Sequence, residues 1–159
     1  MSDGAKVIPI QDWLTSFRDA AGEVAKGTLR FGTAPVKRDA TGPQPGAYIS
    51  LLSEAHSVHL GLSSSPDGCR ALARGLLGMR PDQPIEDHEV ADGVREVMNI
   101  VAGKVKSKMA GKDGVLQMGL PMFLSGAAHP SPDVESAAAE LQLGSVDCTL
   151  VVYRSNRAA

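Results

Sequence analysis

A chain of 159 residues, 43% of them hydrophobic, is long enough for one domain with its own core and too apolar to stay disordered. Its formal net charge of −2 comes without a basic stripe, which argues against nucleic acid as a partner. No stretch approaches the roughly 20 apolar residues of a membrane span. The start, MSDGAKVIPIQDWL, lacks the basic-then-apolar pattern of a secretory leader, so the expectation is a cytoplasmic protein without membrane contact.

Residues 1–8 read as a flexible tail, 9–154 as a single domain and 155–159 as a second tail. From Ile10 to about Lys26, Ile10, Trp13, Leu14, Phe17, Ala21 and Val24 recur at spacings of three and four, which predicts an amphipathic helix. Arg38 to Gly46, RDATGPQPG, is a turn-rich loop. Ala47–Ser53 and Ser57–Ser63 flank a short connection and predict an antiparallel hairpin, with Val58, Leu60 and Leu62 on one face. His59 falls on the other face, as a half-exposed sheet residue rather than a ligand.

Ser65 before Pro66 marks a helix start, with Cys69, Leu72, Ala73 and Leu76 as its apolar face and Gly78 as its cap. A long helix follows from about Ile85 to Met109, ended by Ala110–Gly114. VLQMGLPMFL then reads as one strand, with Leu116, Met118, Leu120, Met122 and Leu124 on a single face and Pro121 placing it at an edge or bulge. Residues 126–146 are small and polar, with a short apolar-periodic piece around Ala137–Leu141, and Cys148–Arg154 closes as a strand. The pattern predicts an α+β domain: an antiparallel or mixed sheet with long amphipathic helices packed on one face.

Cys69 and Cys148 form no CxxC pair and sit in apolar patterns, as buried free thiols of a reducing compartment do. The four histidines are scattered, and no metal-ligand spacing, phosphate-binding loop or nucleophile elbow is present.

The long helix carries the functional signal. Projected at about 100° per residue, Val90, Val94, Val97, Met98, Val101, Val105 and Met109 form the core face. Asp92, Glu96, Asn99 and Gly103 fall opposite. Arg95 and Lys106 flank them on one side, and Ile100 on the other, apolar and expected to be exposed. Asparagine is a mediocre helix former, and a mid-helix glycine costs roughly 1 kcal/mol relative to alanine. Gly103, one turn beyond Asn99, leaves a bare patch that another molecule's backbone can approach. A charged outer face is more often merely solvated, so a functional face and a solvated one both stand at this point. An amide cannot act as a general base, but it can donate one hydrogen bond and accept another, and so orient a water. Positioning of that kind is most of what hydrolysis of an activated phosphoryl group needs. A helix exterior without an evident pocket suits a protein surface as substrate.

VADGVREVMNIVAGKVKSKMAG, followed by LQMGLPMFLSG, resembles the CheC–CheX–FliY phosphatases of bacterial chemotaxis, and CheX most of all. The signature of that family, E-x-x-N-x-x-x-G on a long exposed helix, is met by Glu96, Asn99 and Gly103, with Asp92 as its upstream acidic residue. Leu120–Pro121 and Gly126 match the strand that follows, and the hairpin with ALARGLLGM matches the family's first half. One copy of the signature is present, as in CheX, where CheC has two.

The resemblance implies hydrolysis of the phosphoaspartate of a CheY-like receiver domain. Asn99 would position the attacking water and Glu96 would pair with the receiver's lysine, with Asp92, Arg95, Ile100, Gly103 and Lys106 as the surrounding partner-binding surface. It implies no cofactor of the chain's own, the Mg²⁺ being the receiver's, and a homodimer joined through the sheets. Arg95 stands where the family pattern D-A-I-G-E-L-x-N-M has glycine. It would bind the catalytic carboxylate, Glu96, or alter which receiver docks. Two readings from other classes stay open beside the enzyme: a module that docks on a receiver or flagellar-switch component without turnover, and a structural homodimer whose helix face is only solvated.

Overall fold

The computed structural model describes residues 8–29, 33–37, 44–54, 56–126 and 131–156. The tail expected at 1–8 lies outside these residues except for Ile8, which is buried. Most of the expected loop at Arg38–Gly46 lies outside them as well.

The order of elements is α1 (Ile10–Thr28), β1 (Gly46–Leu52), β2 (His56–Ser63), α2 (Pro66–Leu77), α3 (Asp87–Asp113), β3 (Gln117–Met118), β4 (Met122–Leu124), β5 (Glu135–Leu143) and β6 (Val146–Asn156). The sheet runs β3-β1-β2-β6-β5, with β4 also on β1, and every strand pair is antiparallel. The three helices pack on one face of it, which is the expected α+β class.

Local chemistry sets the helix ends. The Ser65 hydroxyl accepts the Gly68 N–H at 3.0 Å, Pro66 fills the first turn, and Gly78 closes α2 at φ +69°. α3 opens on a capping box in which Glu86 and Glu89 each satisfy the other's backbone. It runs one turn past the expected end at Met109. Gly111 is tolerated inside the helix, and the terminator is Gly114, also at φ +69°.

The sheet's covered face is built in rows. Leu51 pairs with Val58, Ile49 with Leu60 and Val152, and Ala47 with Leu62 and Leu150, all buried. Above them α1 contributes Trp13, Leu14, Phe17 and Val24, and α3 contributes the seven apolar positions assigned to it. Arg154 is a buried cation on that face. Its guanidinium is held by the Ile8 carbonyl and the Glu135 carboxylate, so its charge is paired where water is absent. Cys69 and Cys148 are buried and unbridged, and burial pushes both thiols up to about 12.

Two segments differ from the sequence reading. VLQMGLPMFL is two short strands, and its alternating residues do not share a face. Met118 lies opposite Leu51 and Met122 opposite Tyr48, so four residues on this side span three on β1. That extra residue, at Gly119–Pro121, flips the chain. Leu116 is buried, whereas Met122 and Leu124 turn to the face that no helix of the described residues covers, and Leu120 is 92% exposed. The second segment is β5, a nine-residue edge strand where only a short periodic piece was legible. The strand β6 also continues beyond Arg154 to Asn156, into the expected C-terminal tail.

Candidate functional site

α3 presents the candidate site in the middle of a 27-residue helix whose opposite face is buried against α1, α2 and the sheet. Asp92 and Glu96 are exposed, and Arg95, Asn99 and Gly103 are half-buried. Among the described residues, the Glu96 carboxylate and the Asn99 amide make no side-chain hydrogen bond or ion pair within the chain, and neither does the exposed Lys106. The surroundings are otherwise paired. Arg95 reaches back three residues to the Asp92 carboxylate, not to Glu96. The expected pairing of Arg95 with the Glu96 carboxylate is therefore not formed: the guanidinium is held one turn back, on Asp92, and Glu96 is left open.

Ile100 corrects one expectation. It is half-buried and packed on the core edge rather than exposed, and it lines a shallow depression of about 430 Å³ between α1 and α3 with Gly103, Lys104 and Ser107. The far wall of that depression is Glu23, which sequence reasoning missed because its partners are more than 80 residues away. Lys108 donates to its carboxylate at 2.8 Å and Lys104 lies at 3.5 Å. The Lys108 hydrogen bond holds the Glu23 carboxyl below its ordinary value, and Glu23 raises Lys108 in turn. Lys112 pairs with Asp12 at 3.9 Å, so α1 runs antiparallel to α3 along a seam of ion pairs.

The two glycines at the site's edges do different jobs. A Cβ added to Gly93 would stand 2.7 Å from the Ala73 Cβ and 2.9 Å from its Cα, so Gly93 lets α2 and α3 approach. A Cβ on Gly103 would meet nothing within 4 Å. The helix therefore carries the cost of Gly103 without any packing reason in its own chain. Gly103→Ala is expected to stabilise the protein by about 1 kcal/mol, and Gly93→Ala to destabilise it by about 1–2 kcal/mol through overpacking. Urea unfolding midpoints of the two variants, moving in opposite directions, check this.

On the uncovered sheet face, Tyr48, Ser50, His59, Leu120, Met122, Leu124, Val134 and Tyr153 line a second depression of about 400 Å³. His59 Nδ1 lies 2.8 Å from the Ser50 hydroxyl, and burial pulls its pKa below 6.5. Among the described residues no group of three or more His, Cys, Asp or Glu is placed to hold a metal ion, and no helix is long and apolar enough to cross a membrane.

Comparison with solved structures places this architecture among chemotaxis proteins. A CheC-like superfamily protein from Shewanella sp. PV-4 superposes with a TM-score of 0.70 at 20% identity, covering 91% of this chain and 97% of that one. The chemotaxis protein CheX from Vibrio vulnificus gives 0.68 at 19% identity, covering 94% and 100%. CheX in the CheX–CheY–BeF₃–Mg²⁺ complex from Borrelia burgdorferi gives 0.65 at 18% identity, covering 92% and 99%. At these identities the likeness establishes the fold. No curated protein sequence matches the chain. The sequence pattern of the family described as chemotaxis phosphatase CheX does match, over residues 46–142, which is more than half of the chain and includes the whole outward stripe of α3. The chain belongs to the CheX family of chemotaxis phosphatases.

Proposed function

We propose that the protein hydrolyses the phosphoaspartate of a CheY-like receiver domain. The observation that carries this reading is the pair of uncommitted polar groups, Glu96 and Asn99, standing one turn apart beside the open space over Gly103. The Borrelia relative, solved as a complex of CheX with CheY, supports the choice of partner. The Glu96 carboxylate docks on the receiver's active-site lysine and brings the stripe over the phosphoryl group. The Asn99 amide accepts a hydrogen bond from a water and donates one to the phosphoryl oxygens, which holds the water in line with the bond that breaks. The water oxygen bonds to phosphorus as the aspartyl P–O bond cleaves. The aspartate leaves as a carboxylate, and both protons of the water end on the phosphate. The receiver's own Mg²⁺ neutralises the transferring oxygens. Gly103 has no side chain so that the receiver backbone can lie against the helix.

The test uses receiver domains from the same organism, phosphorylated with a labelled small-molecule donor in Mg²⁺. Label should be lost faster with the wild-type protein and not with Asn99→Ala. Binding without acceleration would replace the enzyme by a docking module.

We further propose that the protein acts as a homodimer through the uncovered sheet face. The residues lining its depression carry no formal charge, apart from protonation of His59. A patch that meets its own copy across a two-fold axis suits this composition, since charged groups would meet like charges. Leu120→Asp combined with Met122→Asp is expected to halve the mass seen by light scattering. An unchanged mass would rule out this face.

A further inference from the structure

The charges along α3 are not spread at random. Asp92 is compensated by Arg95, Lys104 and Lys108 by Glu23, and Lys112 by Asp12. Two charges on the outward stripe between Asp92 and Lys106 are left uncompensated by any side chain of the described residues: Glu96 and Lys106. They have opposite signs. Ten residues apart, they are separated by roughly 15 Å along the axis, and Asn99 and Gly103 lie between them.

We infer that Lys106 is a specificity-determining residue that fixes the direction in which the partner lies along α3, by pairing with an acidic side chain on the receiver about 15 Å from the lysine that meets Glu96. This rests on the receiver-phosphatase reading above and adds to it the charge pattern of the partner. The argument is one of complementarity. A receiver docked head-to-tail the wrong way would bring its lysine to Lys106 and its carboxylate to Glu96, two like-charge contacts in place of two attractive ones. Asn99 would then meet the phosphoryl group from the wrong side. The Asp92–Arg95 pair sharpens the selection. It pairs a second carboxylate of the stripe, so that Glu96 is the one carboxylate between Asp92 and Lys106 without a cation of its own among the described residues. Arg95 in the place of the usual glycine thus acts through Asp92 and touches no reacting atom.

The experiment follows steady-state dephosphorylation of the receiver that the wild-type protein accelerates, at several salt concentrations. Lys106→Glu is expected to raise KM roughly tenfold, with kcat held within about twofold, and to flatten the salt dependence of kcat/KM. Lys37→Glu, which changes net charge equally at an exposed site beside the start of β6, should leave KM alone. Changing acidic residues of the receiver to lysine one at a time should yield one variant that restores the KM of Lys106→Glu. If Lys106→Glu keeps the wild-type KM and salt dependence while Asn99→Ala is inactive, the inference fails and the phosphatase reading stands. If no receiver is turned over, affinity for the beryllofluoride-loaded receivers reads the same contact. A loss on Lys106→Glu then supports the orientation role without catalysis, and equal affinities overturn it.

Discussion

Asn99→Ala is expected to reduce receiver dephosphorylation by roughly 10²–10³-fold, the usual effect of removing one preorganised group from a reaction driven by positioning. The loss should fall on kcat, because Asn99 is asked to orient a water and not to hold the partner. Among the described residues its amide has no partner, and it sits on the solvent side of a helix whose other side is buried. Truncation therefore opens no cavity and leaves no buried group unpaired. The melting temperature should stay within a few degrees of wild type, which separates a catalytic defect from a folding one. Glu96→Ala should behave differently, raising KM as the attraction to the receiver's lysine is lost. Measuring kcat and KM for both variants on one receiver checks the division of labour. A loss in kcat with Glu96→Ala alone would reverse it.

The largest effect on stability is expected at Trp13. Its indole is fully buried between α1 and the sheet and packs edge-to-face on His56, with ring centroids 6.1 Å apart at 88°. Trp13→Ala should cost about 3–5 kcal/mol, a large share of the stability of a domain this size, and lower the melting temperature by roughly 10 °C. Trp13→Phe should cost far less. Among the described residues the indole N–H finds no acceptor, and phenylalanine removes that buried donor along with part of the ring. Calorimetry on the two variants gives the comparison. Equal losses would mean that the N–H is satisfied in solution.

The candidate site was legible in the sequence because it breaks the rules of its own helix. Asn99 and Gly103 are poor choices on a face with no packing demand, and that conflict is local. The covered core was legible for the same reason: Val58, Leu60 and Leu62, or Trp13 and Phe17, follow the period of their element. The failures were non-local. Glu23 could not be tied to Lys104 and Lys108 because only the tertiary packing of α1 on α3 brings them together. Ile100 sits off the core stripe by angle, but α1 closes over that flank and half-buries it. Strand β5 was missed because Ala137–Ala139 are small and weak strand formers, with Ala137 and Ala139 on the covered face and Ala138 on the other. In VLQMGLPMFL the strand period was visible, but the one-residue slip at Gly119–Pro121 that sends its two halves to opposite faces is a property of the register with β1.

α3 contains three glycines and five valines in 27 residues. Each glycine costs about 1 kcal/mol against alanine, and β-branched residues lose rotamer freedom in a helix. A synthetic peptide spanning Asp87–Asp113 would be mostly unwound in water, with Glu96 and Asn99 wandering relative to one another. The candidate pair therefore cannot be transplanted as a linear motif. Its spacing is enforced from behind, by Val94, Val97, Met98 and Val101 on a face buried against α1, α2 and the sheet, so a graft onto another scaffold must carry the floor as well as the two side chains.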